Sequence, residues 1–295
     1  MSSMNGRVVL ITGGARGVGA GVARRLHAKG AKLALTVLDE APLKELAGDL
    51  GDDRVQAVVA DVRDLSAMQA AVNKAVDRFG GIDIVMANAG IATYGSVLQV
   101  DPDAFKTLMD VNVVGVFHTV RAALPSVIDR RGYVLIVSSL AAYAASPGLA
   151  PYNGAKAAVE HFANALRMEV AHRGVDVGSA HMSWIDTPLV RDSKVDLPTF
   201  QEMLSKLPAP LNRTTSVEAC GEAFVKGIEG RKRQINCPDW VGLFRWLKPV
   251  LSSAVGEAPV RRFVPDLLPR MDAEVAALGR SMSVRTAALE KGPTA

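Results

Sequence analysis

The sequence predicts an α/β fold, a doubly wound parallel sheet with helices on both faces. Three observations carry that expectation. Short, continuous, β-branched runs recur along the 295 residues, each followed by a longer segment with apolar residues at helical spacing. A glycine-rich turn, "TGGARGVG" from Thr12 to Gly19, separates the first run from the first helical segment. No linker rich in Pro, Gly or Ser interrupts the alternation before about residue 190, so the body reads as one domain.

The expected strands are "RVVLIT" (7–12), "KLALTV" (32–37), "VQAVVA" (55–60), "IDIVMAN" (82–88), "YVLIVSS" (133–139) and "VDVGSAH" (175–181). Continuous apolar runs of this kind suit parallel strands covered on both faces. The helices expected between them are "GAGVARRLHAKG", "APLKELAGDLG", "LSAMQAAVNKAVDRFG", a long one from Asp101 to Arg130, and "YNGAKAAVEHFANALRMEVAHRG". Most close near a glycine, as helix ends favour. Asp101-Pro102 is an N-cap followed by proline at the first helical position. Strand–helix repetition then specifies right-handed crossovers.

Composition narrows the function classes. With 49% apolar and 22% charged residues the chain is an ordinary globular one. The net charge of +4 comes without a nucleic-acid-binding motif, and Arg231-Lys232-Arg233 reads as a solvated loop, so no nucleic-acid partner is expected. Two cysteines, Cys220 and Cys237, and five histidines show no ligand spacing, so no metal is expected. The apolar "VVLI" near the N-terminus is a strand rather than a signal peptide, and the uncharged span 132–155 is broken by prolines and glycines. A cytoplasmic location is the expectation.

The glycine turn is the first functional signal. Gly13, Gly17 and Gly19 permit a tight turn whose backbone N–H groups approach a pyrophosphate, while the helix N-terminus adds partial positive charge. Its place in a βαβ unit gives this weight. Asp61-Val62 follows the third strand, where a carboxylate meets an adenine edge, and Asn88-Ala89-Gly90 follows the fourth.

The second signal is "YNGAK". Tyr152 and Lys156 are four residues apart, on one face of a helix. A free phenol titrates near 10, and a neighbouring ammonium is expected to lower that value towards working pH. Ser139, at the end of the fifth strand, is placed to hold a substrate oxygen; Ser138 competes for the role.

Taken in order and spacing, "TGGARGVG", "DV" at 61–62, "NAG" at 88–90, Asn112, Ser139 and "YNGAK" resemble the short-chain dehydrogenases/reductases, in their compact single-domain branch, over roughly residues 5 to 240. The resemblance implies a Rossmann-type sheet and a nicotinamide cofactor, NAD(P)(H). It implies a catalytic set of Asn112, Ser139, Tyr152 and Lys156, with Asn112 supporting a water-linked proton relay to the lysine. The cofactor-binding set becomes Gly13, Arg16, Gly17, Val18, Gly19, Val37, Asp61, Val62, Asn88, Ala89, Gly90, Tyr152, Lys156 and Thr187. Lys156 would also bind the nicotinamide ribose, and Thr187 the carboxamide. A homodimer or homotetramer is implied, with contacts through the helices carrying Asn112 and Tyr152.

The chain departs from that pattern in three places. Val37 stands where users of NAD carry an acid, with Asp39 two positions on; Arg16 is available to a 2′-phosphate, though Leu38 is not a second base. The balance leans slightly to NADP(H). Ser183-Trp184 replaces Pro-Gly before Thr187, placing Trp184 near the nicotinamide pocket or in the core. Finally, residues 240–295 extend past the 1–239 dinucleotide-binding domain as helices. In 240–252, Trp240, Leu243, Phe244, Leu247 and Leu251 share a face opposite Arg245, Lys248 and Ser252. Packing on the body or at a subunit contact takes precedence there over a peripheral membrane contact or a lid.

The function expected is hydride transfer between the dinucleotide and a small-molecule alcohol or ketone. Leu189, Val190, Leu197, Phe200, Met203 and Leu204 suggest an apolar substrate. A catalytically silent dinucleotide-binding sensor is the alternative, disfavoured because Tyr152 and Lys156 are both present. A sugar-nucleotide epimerase is disfavoured by the glycine spacing.

Overall fold

Seven parallel strands in the order β3-β2-β1-β4-β5-β6-β7 form the sheet of the protein, seen in a computed structural model that describes residues 4–287. The first half runs β1 (Val8–Thr12), α1 (Gly17–Ala28), β2 (Lys32–Val37), α2 (Glu40–Leu50), β3 (Val55–Val59), α3 (Leu65–Phe79) and β4 (Ile84–Ala87). The chain then crosses back through α4 (Pro102–Met109) and α5 (Gly115–Asp129) to β5 (Tyr133–Val137), α6 (Ala150–Val170) and β6 (Asp176–Met182). β1 pairs with β2 on one side and β4 on the other, so the winding reverses there and opens a crevice at the strands' carboxyl ends.

The six predicted strands are present. A seventh, β7 (Gln234–Cys237), pairs with β6 and was not predicted. α3, α5 and α6 bury one face of the sheet; α1, α2 and α9 (Val217–Glu229) bury the other. The Asp101 side chain caps α4 by accepting from the Asp103 and Ala104 N–H groups, with Pro102 next. The long helix expected from Asp101 to Arg130 is interrupted by a π-helical stretch, Asp110–Val114, which contains Asn112. The run Pro102–Asp129 is long and apolar enough to cross a membrane, but half of its apolar window is buried in the fold.

A third apolar cluster lies beyond the strands' carboxyl ends. There α8 (Pro198–Lys206), which follows α7 (Pro188–Asp196), meets α12 (Val264–Leu278); the C-terminal segment also holds α10 (Val241–Leu251), α11 (Ala254–Arg261) and α13 (Val284–Ala287). Phe200, Met203 and Leu204 of α8 pack with Leu267, Met271 and Val275 of α12. The segment is stitched to the loop after β4: Tyr94 N–H donates to the Ser281 carbonyl (2.9 Å), Ser96 N–H to Asp272 (2.7 Å) and Asp101 N–H to Ser281 Oγ (2.9 Å). Residues 288–295 of the expected extension lie outside the described residues.

The amphipathic reading of 240–252 needs correction. Phe244 and Leu251 turn inward, but Leu243, assigned to the same face, is exposed, as are Trp246 and Val250. The helix is apolar on two sides because it forms a wall, not a cover with a wet back.

Candidate active site

The glycine turn leaves β1 under steric compulsion. Gly13 has φ +64°, and a Cβ there would stand 3.0 Å from Ala89 Cα. A Cβ on Gly19 would lie 2.3 Å from the Gly13 carbonyl, which no side chain tolerates. Asn88 pins this turn: its Nδ2 donates to the carbonyls of Thr12 (2.9 Å) and Gly13 (3.2 Å). Thr12 Oγ1 accepts in return from the Asn88 and Ala89 N–H groups at 3.0 and 3.1 Å. Sequence reasoning did not single out Thr12 as this hub.

One cavity of about 1430 Å³ runs from the glycine turn to the C-terminal helices. Its volume exceeds the ~300–1,000 Å³ of an ordinary ligand pocket. Of the residues singled out from sequence, Gly13, Arg16, Gly17, Val18, Val37, Asp61, Val62, Asn88, Ala89, Gly90 and Thr187 line it, as do Ser139, Tyr152 and Lys156. Gly19 and Asn112 lie behind the wall. The glycine turn, the helix N-terminus at Gly17 and this lining form a cradle that fits a dinucleotide.

At the outer end, Arg16 pairs with Asp39 at 2.6 Å, both half-exposed. Asp61 is held by Arg63 through Nε (2.9 Å) and Nη2 (2.7 Å). Thr187, at the start of α7, presses its methyl against Gly17, where a Cβ would sit 3.2 Å away. Trp184 lines the cavity and meets Phe200 edge-on at 5.4 Å.

At the inner end, α6 presents Tyr152 and Lys156 to the same cavity, as their spacing predicts. The two competing serines differ in their partners. Ser138 Oγ donates to the Lys156 carbonyl at 2.8 Å, whereas Ser139 Oγ lies beside the Tyr152 phenol and accepts from the Ala141 N–H at 3.1 Å. Lys156 Nζ donates to the Val137 carbonyl (3.0 Å) and stands 5.6 Å from the Tyr152 ring centroid. Asn112 closes a two-way clasp on Ile91, accepting from its N–H and donating to its carbonyl, both at 2.8 Å. Only Gly90 separates it from the lysine: a Cβ there would lie 3.3 Å from Asn112 Oδ1 and 3.5 Å from Lys156 Nζ.

Titration differs from the expectation. Burial raises the Tyr152 pKa, with Ser139 pulling weakly the other way, and no lysine effect offsets it. Burial also brings Lys156 down to about 8. The physical reason is that desolvation disfavours the charged form of both groups.

Behind Ser139 sits a group that no motif signals. His181 is fully buried, its Nδ1 is 3.2 Å from the Ser139 carbonyl, and its ring stacks on Tyr143 at 4.5 Å. A carbonyl only accepts, so Nδ1 carries the proton. Nε2 then accepts from Tyr143 (2.9 Å) or Ser179 (3.0 Å). Burial lowers its pKa to about 4. Below about pH 6.5 the unfolded chain takes up a proton that the folded one refuses, so stability falls between roughly pH 6.5 and 4, by on the order of 3 kcal/mol. His181→Gln should flatten that part of the acid limb, measured as denaturant midpoints at pH 7 and 4.5.

Cys220 and Cys237, unrelated by spacing, are brought together by α9 and β7 as free thiols, and their contact pushes the Cys220 thiol up. Among the described residues no three His, Cys, Asp or Glu side chains group as a metal site.

Comparison with known proteins places these features. The short chain dehydrogenase family model matches residues 7–197. Oxidoreductase UcpA of Salmonella typhimurium is 34% identical over 218 residues, covering 70% of this chain and 82% of that protein. An uncharacterised oxidoreductase of Mycobacterium tuberculosis is 32% identical over 256 residues, covering 77% and 92%. Among solved structures, a 3-ketoacyl-(acyl-carrier-protein) reductase from Brucella melitensis complexed with NADH superposes with TM-score 0.71 at 29% identity, over 79% of this chain and 97% of that one. A short chain dehydrogenase/reductase from Burkholderia phymatum in complex with NAD, at TM-score 0.73 and 22% identity over 83% and 94%, shares the fold.

Proposed function

Because the chain belongs to the short chain dehydrogenase family, we propose that it is an oxidoreductase interconverting a bulky, apolar secondary alcohol and its ketone. The observation that carries this reading is the convergence of Ser139, Tyr152 and Lys156 on the cavity whose other end is the glycine turn. Gly13, Gly17, Val18 and the Asn88–Gly90 turn would hold a nicotinamide dinucleotide, which when bound would supply or accept the hydride. Ser139 Oγ orients the substrate oxygen. Tyr152, which burial keeps protonated, donates its proton to that oxygen in reduction and recovers it in oxidation. The Lys156 ammonium offsets the negative charge left on the phenol. Asn112 acts by positioning Ile91 and the strand-end loop, from behind the wall.

The substrate class follows from the far half of the cavity. Leu149, Trp184, Phe200, Leu207, Phe244 and Val260 line it, and apolar walls of this extent favour a large ring system or long chain over a small polar alcohol. Steady-state assays with NADH and NADPH against ketones graded in size test the reading. Turnover confined to small polar ketones, or none with either dinucleotide, would overturn it. The second outcome would favour a silent sensor.

Cofactor choice turns on Arg16 and Asp39. Paired with Asp39, the guanidinium offers no free charge to a 2′-phosphate, and the carboxylate stands near the end of β2, where ribose hydroxyls are bound. This supports NADH over the NADP(H) lean that Val37 suggests. Asp39→Ala releases Arg16 and should move the NADPH/NADH affinity ratio about tenfold towards NADPH, roughly 1.4 kcal/mol, read by fluorescence titration.

Assembly is the remaining part of the proposal. Phe105, Phe117 and Met168 on α4, α5 and α6 are 45%, 48% and 77% exposed, an apolar face suited to a homo-oligomer contact.

A further inference from the structure

The helices that close the cavity carry a second apolar surface facing away from it. On α10, Leu243, Trp246 and Val250 are spaced three and four apart and are 58%, 76% and 55% exposed; Val255 on α11 continues the stripe at 79%. Single exposed apolar residues need no explanation, but a contiguous stripe centred on tryptophan marks an interaction surface. On their other side the same two helices give Phe244, Leu251 and Val260 to the cavity. The wall between substrate space and solvent is therefore one helix thick and apolar through its depth.

Charge decides what covers it. Residues 240–262 hold four basic side chains, Arg245, Lys248, Arg261 and Arg262, against the single acid Glu257. Arg262 is exposed and the Arg245 guanidinium lies over the Trp246 ring at 5.5 Å, whereas Lys248 reaches the Tyr143 ring (6.0 Å) and Arg261 lines the cavity, on the other side. A second copy meeting this face about a two-fold axis would bring the same cations against one another. An anionic lipid surface meets both the apolar stripe and its basic flank.

We propose that the outer face of α10 and α11 docks on anionic membrane surfaces, with Trp246 at headgroup depth and Arg245 and Arg262 against lipid phosphates. Docking sets the cavity's C-terminal wall against the bilayer, from which an apolar substrate reaches it without crossing water. That last clause rests on the substrate class proposed above; the docking does not.

The test is sedimentation of the full chain with vesicles of phosphatidylcholine alone and of phosphatidylcholine mixed with phosphatidylglycerol. Binding at least tenfold tighter to the mixed vesicles is expected, with tryptophan emission quenched by brominated lipid. Trp246→Ser should weaken it tenfold or more, and so should the charge reversal Arg262→Glu. Both positions are exposed, so melting temperature and NADH affinity should not move. Failure to bind either vesicle, or equal binding to both, overturns the proposal. So does an oligomer that Trp246→Ser dissociates in light scattering, which would mean that a second copy covers the face. None of these readouts needs turnover, so the docking and oxidoreductase readings fail separately.

Discussion

Tyr152→Phe is expected to lower turnover about a thousandfold, in line with the ~10²–10⁴ contributed by a positioned acid–base group, while NADH affinity stays within about a factor of two. The substitution keeps the ring that packs against the sheet-side core and removes only the hydroxyl beside Ser139. A variant retaining a tenth of the wild-type rate would mean that the proton comes from elsewhere. The pH profile supplies an independent check. Lys156 is brought down to about 8 by burial, so its charge is complete below that pH and lost above it. Carbonyl reduction should therefore be level on the acid side of about pH 8 and fall on the alkaline side. Lys156→Met should be slow throughout and lack the break.

Arg280→Met should produce the largest loss of stability. Asp196, at the end of α7, accepts from Arg280 Nη1 and Nη2 at 2.6 and 2.8 Å and from the Tyr94 hydroxyl at 2.5 Å. Its side chain is 14% exposed and that of Arg280 21%. Arg280 first, and Tyr94 second, hold the carboxyl below its ordinary range, while burial and the carboxylate push the phenol of Tyr94 up. Removing the guanidinium strands a mostly buried carboxylate, a change that costs ~3–5 kcal/mol in fully buried pairs. Residual exposure puts the expectation at the lower end, about 3 kcal/mol, or roughly 6–12 °C in melting temperature for a chain of this size. Because the folded-state pKa of Asp196 is depressed, the pair's contribution is present above the unfolded value and lost as pH falls through the folded one. The gap between wild type and variant should accordingly narrow below about pH 4. Equal melting temperatures at pH 7 would show that the C-terminal segment is held by its apolar contacts alone.

What was legible in the sequence was whatever local pattern determines. Continuous β-branched runs marked six strands, and the glycines marked the turn that only glycine can make. The four-residue interval put Tyr152 and Lys156 on one face. What was not legible depends on contacts between distant residues. β7 is four residues, "QINC", recruited to the sheet by pairing with β6 rather than by its own pattern. The π-helical stretch at Asp110–Val114 leaves the apolar periodicity of the helix nearly unchanged, so a continuous helix was the natural reading. His181 and Tyr143 are 38 residues apart and belong to no motif. The direction of the Tyr152 shift was misjudged because burial, the dominant cause, has no signature in "YNGAK". The two-sided character of α10 was missed because a helical wheel assigns one apolar face and assumes that the other is wet.

The stitching of the loop after β4 to Asp272 and Ser281 has a consequence for biosynthesis. The last strand of the sheet ends at Cys237, about forty residues before the partner that completes the loop at Tyr94. At a translation rate of about 5–20 residues per second, that interval lasts roughly 2–8 s. During it the emerging chain owns every strand but not the helix that covers Phe200, Met203 and Leu204. A ribosome stalled in this interval would display a nearly finished sheet with a bare apolar rim, the kind of surface that chaperones hold and proteases sample.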